Sequence, residues 1–326
     1  MIYSAQFPSG FEALVKLKLE ADFKAKILVE EDGLILFLIK GIIPSFKLKK
    51  INYVSSLDVV LFWAKEERSL ESLAASVSEN NFKFLKLKRS EDFQLRVFIN
   101  NQPSVFKDRD VFTQLISSST GLELSSHKPC YIFNLKLRKS GLGIFSLKIK
   151  SDDKKYHQGE LHQDVATLLC LLGELSGYRT VLDAFGGYGG ITNSAKKFKP
   201  SKIIICENNL SLAARLEVRF KDSTLVSVRN QGVIDLLDNS SFQLDLILAD
   251  PPWGEFQNNL DIRGLYSSFL NSAKAKLRPE GKIVIISSNK DALAEAVTSS
   301  GLSIENQLNV LISGKKVRVY CLGNKI

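Results

Sequence analysis

The sequence predicts a two-part chain: an α+β module over residues 1–155, then an α/β domain over residues 156–326. The sheet of the second part is expected to be Rossmann-like and mostly parallel, with an antiparallel C-terminal hairpin. Three observations predict this. Up to residue 155, short strand-like runs and turn signals alternate with single amphipathic helices, a pattern of antiparallel strands with helices on one face. Beyond it, strands and helices alternate in the order of a parallel sheet. Charge divides at the same place, with 25 basic and 18 acidic side chains (+7) before it and 19 and 17 (+2) after it. A chain of 326 residues also suits two domains of ~100–200 residues each.

The first part opens with a strand over 2–6. A helix follows, announced by Pro8 and Ser9, with Phe11, Leu14, Val15 and Leu19 on one face. Residues 26–30 and 34–39 flank Asp32-Gly33, which reads as a hairpin. A strand over 59–63 leads to a helix over 70–77, then a strand over 93–99 and a helix over 111–117. A hairpin of 131–137 with 144–149 completes a module read as two small units in tandem. Phe82 to Arg89 alternates apolar and basic residues, as Phe46 to Lys50 does briefly. On strands this would set lysines such as Lys86 and Lys88 along one face, either a solvated face or a track for phosphates.

The second part begins with a helix over 164–175 and a strand over 179–183. A glycine-rich turn and a helix from Ile191 come next. Strand 202–206, helix 212–220 and strands 226–228 and 244–249 follow. Helix 265–277, strand 282–287 and helix 292–299 lead to strands 308–312 and 317–322, joined through Ser313-Gly314.

The composition excludes several classes. With 44% hydrophobic and 24% charged residues the chain is an ordinary folded one, neither disordered nor collagenous. No run approaches the ~18 apolar residues of a membrane span. The opening MIYSAQFPSGFE lacks the layout of a signal peptide, so a cytoplasmic location is expected. Cys130, Cys170, Cys206 and Cys321 stand far apart, giving neither a zinc pattern nor a disulfide framework, and no metal site is expected. The surplus of +9, gathered in the first part, points to a polyanion-facing module.

Three segments carry chemistry. Val181-Leu-Asp183-Ala-Phe185-Gly186-Gly187-Tyr-Gly189-Gly190 is a strand-to-helix turn whose glycines let backbone N–H groups approach a ligand. On its own it also fits a structural turn or another nucleotide. Glu207, at the tip of the next strand and about 20 residues on, suits the two hydroxyls of a ribose. Both segments also fit a nicotinamide enzyme. The third decides between them: Asp250-Pro251-Pro252-Trp253 ends a strand with a carboxylate, proline carbonyls without neighbouring N–H donors, and a flat aromatic face. Two adjacent acceptors suit the two hydrogens of an exocyclic amine, and an aromatic face suits the base that bears it.

That third segment resembles the [Asp/Asn]-Pro-Pro-aromatic motif of S-adenosylmethionine-dependent amino-methyltransferases, and 156–326 as a whole resembles their class I domain. The resemblance makes Asp183, Phe185, Gly186, Gly187 and Gly189 the first cofactor motif, and Glu207, with Asn208 beside it, the ribose acid. The acid usual after the third strand is displaced, so Asn230 or Asp235 is expected in its place. Phe7-Pro-Ser-Gly10-Phe-Glu12 and Tyr156-His157-Gln-Gly159-Glu-Leu161-His162 are similar to segments of methyltransferases that carry a ferredoxin-like unit and a THUMP RNA-binding module. Members of that family methylate the N2 amine of guanosine in transfer RNA, some in ribosomal RNA. Tryptophan in the aromatic place is also similar to trimethylguanosine synthases.

The expectation is therefore an enzyme using S-adenosylmethionine on a guanosine N2 amine, with tRNA as partner. Asp250 and Pro251 would hold the amine, while Pro252 and Trp253 complete the catalytic turn. Alternatives are ribosomal RNA as substrate, DNA adenine-N6 chemistry, or a non-catalytic RNA-binding protein. His157 and His162 read as ordinary surface or linker histidines.

Overall fold

The computed structural model describes residues 1–41, 43–80, 91–125, 127–151, 155–175, 179–254 and 261–324. The chain divides into two compact units, one of Met1–Gln6 with Lys18–Asp152, the other of Phe7–Leu17 with Asp153–Ile326. The short segment around Phe11 thus groups with the second unit, although it precedes most of the first in sequence.

The first part of the chain contains β1 (Ile2–Gln6), α1 (Glu12–Phe23), β2 (Lys26–Glu31), β3 (Leu34–Leu38), α2 (Ser45–Lys49), β4 (Ser56–Ala64) and α3 (Leu70–Glu79). It continues with β5 (Asp92–Ile99), β6 (Gln102–Pro103), α4 (Arg109–Thr120), β7 (Glu123–Leu124), β8 (Tyr131–Leu137) and β9 (Gly143–Ser151). The strands form one nine-stranded sheet, in order β2-β3-β1-β4-β9-β8-β5-β6 with β7 beside β5. This corrects the reading of two small units in tandem, because β4 pairs with β9 and makes the sheet continuous. It also corrects the all-antiparallel expectation: β5 runs parallel to β8, with α4 in the connection between them.

Alternation explains the packing. Phe93, Leu95 and Val97 of β5 point to one face with Phe133 and Leu135 of β8, under Leu73 and Val77 of α3 and Phe112 and Ile116 of α4. Ser69 caps α3 through a capping box with Ser72, and Gly121 ends α4 at φ 75°. Asn134, Lys136 and Ser146 alternate with that core, and all three reach the buried carboxylate of Asp58. Its Oδ2 accepts from Lys136 Nζ at 2.6 Å, Ser146 Oγ at 2.9 Å and Asn134 Nδ2 at 3.1 Å. Its Oδ1 accepts from Ser56 Oγ at 3.1 Å. Burial opposes ionisation of Asp58, but Lys136 and these hydrogen bonds outweigh it and hold the carboxyl below its ordinary range.

The run Phe46 to Lys50, read as a strand, is helical instead: α2 follows Pro44, and the Lys50 ammonium lies over the Phe46 ring. The second alternating run, with Lys83, Lys86, Lys88 and Arg89, lies outside the described residues.

The second unit is built of α5 (Gln163–Leu172), β10 (Thr180–Asp183), α6 (Gly190–Ala195), β11 (Lys202–Cys206), α7 (Leu210–Phe220), β12 (Val226–Arg229) and α8 (Val233–Asp238). Then come β13 (Leu244–Ala249), α9 (Ile262–Lys276), β14 (Leu277–Ser287), α10 (Lys290–Ser300), β15 (Ser303–Ile312) and β16 (Lys315–Gly323). The sheet order is β12-β11-β10-β13-β14-β16-β15. The first five strands are parallel, and β16 is antiparallel to both its neighbours. Central strands carry buried apolar runs, such as Ile203–Cys206, Leu246–Ala249 and Ile283–Ile286, as a sheet covered on both faces requires. Connections leave β10 in opposite directions, so a crevice opens at the carboxyl ends of β10 and β13. The outer edge of β15 is covered where the Leu311 N–H donates to the Ser9 carbonyl at 2.9 Å. Gly10, at φ 102°, is required there, since a Cβ would meet the Asn309 carbonyl oxygen at 2.1 Å.

Candidate active site

Three acids stand at the carboxyl ends of three adjacent strands: Asp183 on β10, Glu207 after β11 and Asp250 after β13. Their neighbourhoods differ. Asp183 is 1% exposed, and its Oδ2 accepts from Thr192 N–H at 3.0 Å and Thr192 Oγ1 at 2.8 Å. Its Oδ1 is buried with no hydrogen-bond partner among the described residues. Burial pushes the Asp183 carboxyl up to about 7, with the Thr192 bonds acting against the shift and the charge of Glu207 adding to it. Glu207 receives the Gly187 N–H on Oε2 and the Asn209 N–H on Oε1, both at 2.8 Å. Its carbonyl accepts from Asn230 Nδ2 at 2.9 Å.

The glycine turn is shaped by close packing. A Cβ on Gly186 would meet Ile205 Cγ2 at 2.4 Å, whereas one on Gly187 would meet only the Phe185 carbonyl at 3.9 Å. Gly187, at φ 48°, therefore faces open space, and its bareness leaves room for a ligand.

Asp250 is held by its own turn. Trp253 Nε1 donates to Asp250 Oδ1 at 3.0 Å, and Oδ2 accepts nothing from the described residues. Burial pushes the Asp250 carboxyl up to about 7; the Trp253 bond lowers it and the charge of Asp183 raises it further. The proline carbonyls, expected to lack donors alike, differ. Tyr266, fully buried on α9, donates from Oη to the Pro252 carbonyl at 2.8 Å and shares a hydrogen bond of 2.7 Å with Ser287 Oγ. Pro252 is thereby occupied, whereas the Pro251 carbonyl accepts no hydrogen bond among the described residues. The Lys315 ammonium lies over the Trp253 ring, 6.0 Å from its centroid.

A cleft of about 850 Å³ brings together Phe185, Gly187, Glu207, Asn208, Asp250, Pro251, Pro252 and Trp253. Asp183 lies beneath it, while Gly186 and Gly189 shape the turn and do not line it. Asn230 and Asp235, the two candidates for the third-strand position, do not line it either. Asn230 donates to the Glu207 carbonyl, and Asp235 sits in the first turn of α8.

Several residues were missed. His157, exposed, and His162, half-buried, also line the cleft, stacked on Tyr188 at 4.3 Å and on Tyr156 at 4.2 Å. Tyr156, beside His157 and six residues before His162, was the available signal, but a pairing across 31 residues leaves no periodic trace. Ile312, Ser313 and Lys315 reach the cleft from the turn of the C-terminal hairpin. Tyr266 was hidden because a tyrosine on an apolar helix face reads as core. Among the described residues no group of His, Cys, Asp and Glu is placed to hold a metal ion, and no helix is long and apolar enough to cross a membrane.

The strand order, the glycine turn and the acid at the end of β13 define a methyltransferase fold of class I. Residues 201–318 match the family model described as RMKL-like, methyltransferase domain. The chain is 19% identical to the tRNA (guanine(6)-N2)-methyltransferase of Methanocaldococcus jannaschii, across 80% of this chain and 77% of that protein. In fold it is similar to TrmN of Thermus thermophilus, with a TM-score of 0.82, 17% identity and 99% of each chain covered. It is also similar to SMU.472, whose structure is a complex with SAH, with a TM-score of 0.69, 13% identity and 100% and 98% of the two chains covered. The likeness to TrmN and SMU.472 is one of fold.

Proposed function

We propose that the protein is an S-adenosylmethionine-dependent methyltransferase acting on the N2 amine of a guanosine in tRNA. The observation that carries this reading is one cleft holding both the Gly187–Glu207 cradle and the Asp250–Pro251 acceptor pair. Asp183 and Asp250 at this cleft each have a carboxyl pushed up to about 7 by burial and by a neighbouring carboxylate. A cationic ligand relieves that arrangement. S-adenosylmethionine fits on this ground, with Glu207 on the ribose hydroxyls and the orphaned Asp183 Oδ1 toward the positively charged end. When bound, it supplies an electrophilic methyl on a sulfonium.

The protein's own residues then act on the amine. Asp250 Oδ2 and the Pro251 carbonyl accept its two N–H groups, which localises a lone pair otherwise spread into the ring. Orientation of this kind accounts for much of the barrier reduction available without a covalent intermediate. A carboxyl near 7 is matched to receive the released proton at Asp250 Oδ2. Trp253, anchored through Nε1 to Asp250, borders the entry with its ring, and a paired target base must leave its stack to arrive there. The first unit, THUMP-like in this reading and basic, holds the RNA.

The similarity to a tRNA guanine-N2 enzyme supports the choice of base and substrate. The test is mass spectrometry of tRNA nucleosides from cells with and without the gene, mapped by position. Loss of one N2-methylguanosine is the expected result; loss of methyladenosine, or no change in tRNA with a change in ribosomal RNA, overturns it.

A further inference from the structure

Trp253 borders two cavities. One is the cleft described above. The other is a polar groove of about 490 Å³ walled by Ser288, Asn289, Lys290, Asp291 and Lys316. Lys290 and Lys316 bring two positive charges against one from Asp291, and neither ammonium is engaged by another described residue. Lys316 follows Lys315, whose ammonium already lies over the Trp253 ring.

The groove and the catalytic turn share one frame. The Asn289 N–H donates to Ser287 Oγ at 2.9 Å, Ser287 is hydrogen-bonded to Tyr266, and Tyr266 donates to the Pro252 carbonyl. The Asn289 side chain meanwhile caps α10 through the Ala292 N–H at 3.3 Å. The groove wall is thus fixed relative to Asp250 by a continuous chain of hydrogen bonds.

Resting on the reading of an RNA substrate, we propose that this groove seats the phosphodiester flanking the target nucleotide, with Lys290 and Lys316 as its ligands. A base whose amine sits at Asp250 passes Trp253 on its way in, and its sugar-phosphate stays outside. The cavity that shares Trp253 with the cleft is where that backbone emerges. The groove is cationic and polar, and beyond Trp253 its described lining holds no aromatic face, so it suits a phosphate better than a second base.

The test uses the full chain carrying Lys290→Gln with Lys316→Gln, and separately Lys290→Arg with Lys316→Arg, in tRNA methylation and tRNA binding across a salt series. The glutamine pair is expected to raise the KM for tRNA about tenfold, the scale of lost charge-assisted hydrogen bonds. The log–log salt slope should become shallower by about 0.7–0.9 for each contact removed. The arginine pair keeps the charge and should keep both values near wild type. Cofactor affinity, measured without RNA, should be unchanged in both and confirms a folded site. An unchanged KM and salt slope in the glutamine pair overturns the proposal, as does a loss that the arginine pair shares. Failure of the wild-type chain to methylate any tRNA while binding cofactor overturns the RNA reading itself, a different result from either.

Discussion

In the first unit, Asp58 is fully buried and accepts four hydrogen bonds, one of them from the ammonium of buried Lys136. In the second unit, Asp183 has one oxygen satisfied and one orphaned, and Asp250 is bonded on Oδ1 alone. The carboxyl of Asp58 is held low, and those of Asp183 and Asp250 are pushed up to about 7. A buried charge with both oxygens hydrogen-bonded and a cation beside it is a structural device. Buried carboxylates with unused acceptors at the ends of sheet strands are arranged for something that arrives later. The contrast separates scaffold from site without reference to any relative.

The largest expected effect breaks the scaffold side. Asp58→Ala leaves Lys136 buried and unpaired and should destabilise the first unit by about 3–5 kcal/mol. Replacing the pair together, Asp58→Leu with Lys136→Met, should recover most of that loss. Denaturant unfolding measures both, and a loss under about 1 kcal/mol for the single variant would show that the network carries little. The pH signs differ as well. A folded-state carboxyl held low, as at Asp58, stabilises above its unfolded pKa, and that contribution is lost as pH falls through the lowered value. A carboxyl raised to about 7, as at Asp183, costs stability as pH rises from its ordinary 3.8 toward 7. Asp183→Asn should therefore flatten the decline in melting temperature over that upper window, while Asp58→Asn should not.

Next comes turnover. Asp250→Ala should slow single-turnover methylation by about 10²–10³, the usual loss for one preorganised electrostatic contact, with cofactor affinity nearly intact. In the wild type the rate should rise with pH to a plateau above about 7, since the amine clamp needs the carboxylate. A flat profile, or near-normal rates in the alanine variant, would remove Asp250 from the reaction. Glu207 gives a smaller effect of the opposite kind. Glu207→Ala should cost about 1.5–3 kcal/mol of cofactor affinity in a titration, with its bonds to the Gly187 and Asn209 N–H groups lost as well. Glu207→Gln keeps one acceptor for those amides and should lose less.

The reading of the sequence was deepest where one element decides one residue. Strand ends are local, so the positions of Asp183, Glu207 and Asp250 could be read from apolar runs that stop at an acid. The parallel pairing of β5 with β8 could not, because a crossover is a non-local choice among strands of equal period. The run Phe46 to Lys50 failed for a related reason: five residues alternate apolar and basic equally well on a strand and on one turn and a half of helix. Asn230 took its role from the Glu207 carbonyl, 23 residues away in sequence. The same limit hid Tyr266, whose hydroxyl matters through Pro252 and Ser287, 14 and 21 residues away.

Tyr266 supplies the smallest and most discriminating test. It touches neither the proposed cofactor cradle nor the amine, so it is a positioning residue acting through the Pro252 carbonyl. Tyr266→Phe keeps the ring in the core and removes only the hydroxyl, leaving the Pro252 carbonyl without its donor and the Ser287 hydroxyl without its acceptor. A loss of about 1 kcal/mol is the ordinary worth of such a hydrogen bond, and at the transition state it reads as roughly fivefold in rate. If the turn then shifts, the Pro252 carbonyl competes with Pro251 for the amine. The loss should therefore fall on kcat, with the KM for tRNA and the cofactor affinity unchanged. A merely structural role would instead lower the melting temperature and leave kcat alone in the folded fraction. Ser287→Ala removes the other partner while Tyr266 can still donate to Pro252, so its kcat should stay near wild type. Equal losses in the two variants would assign the effect to core packing and not to the carbonyl.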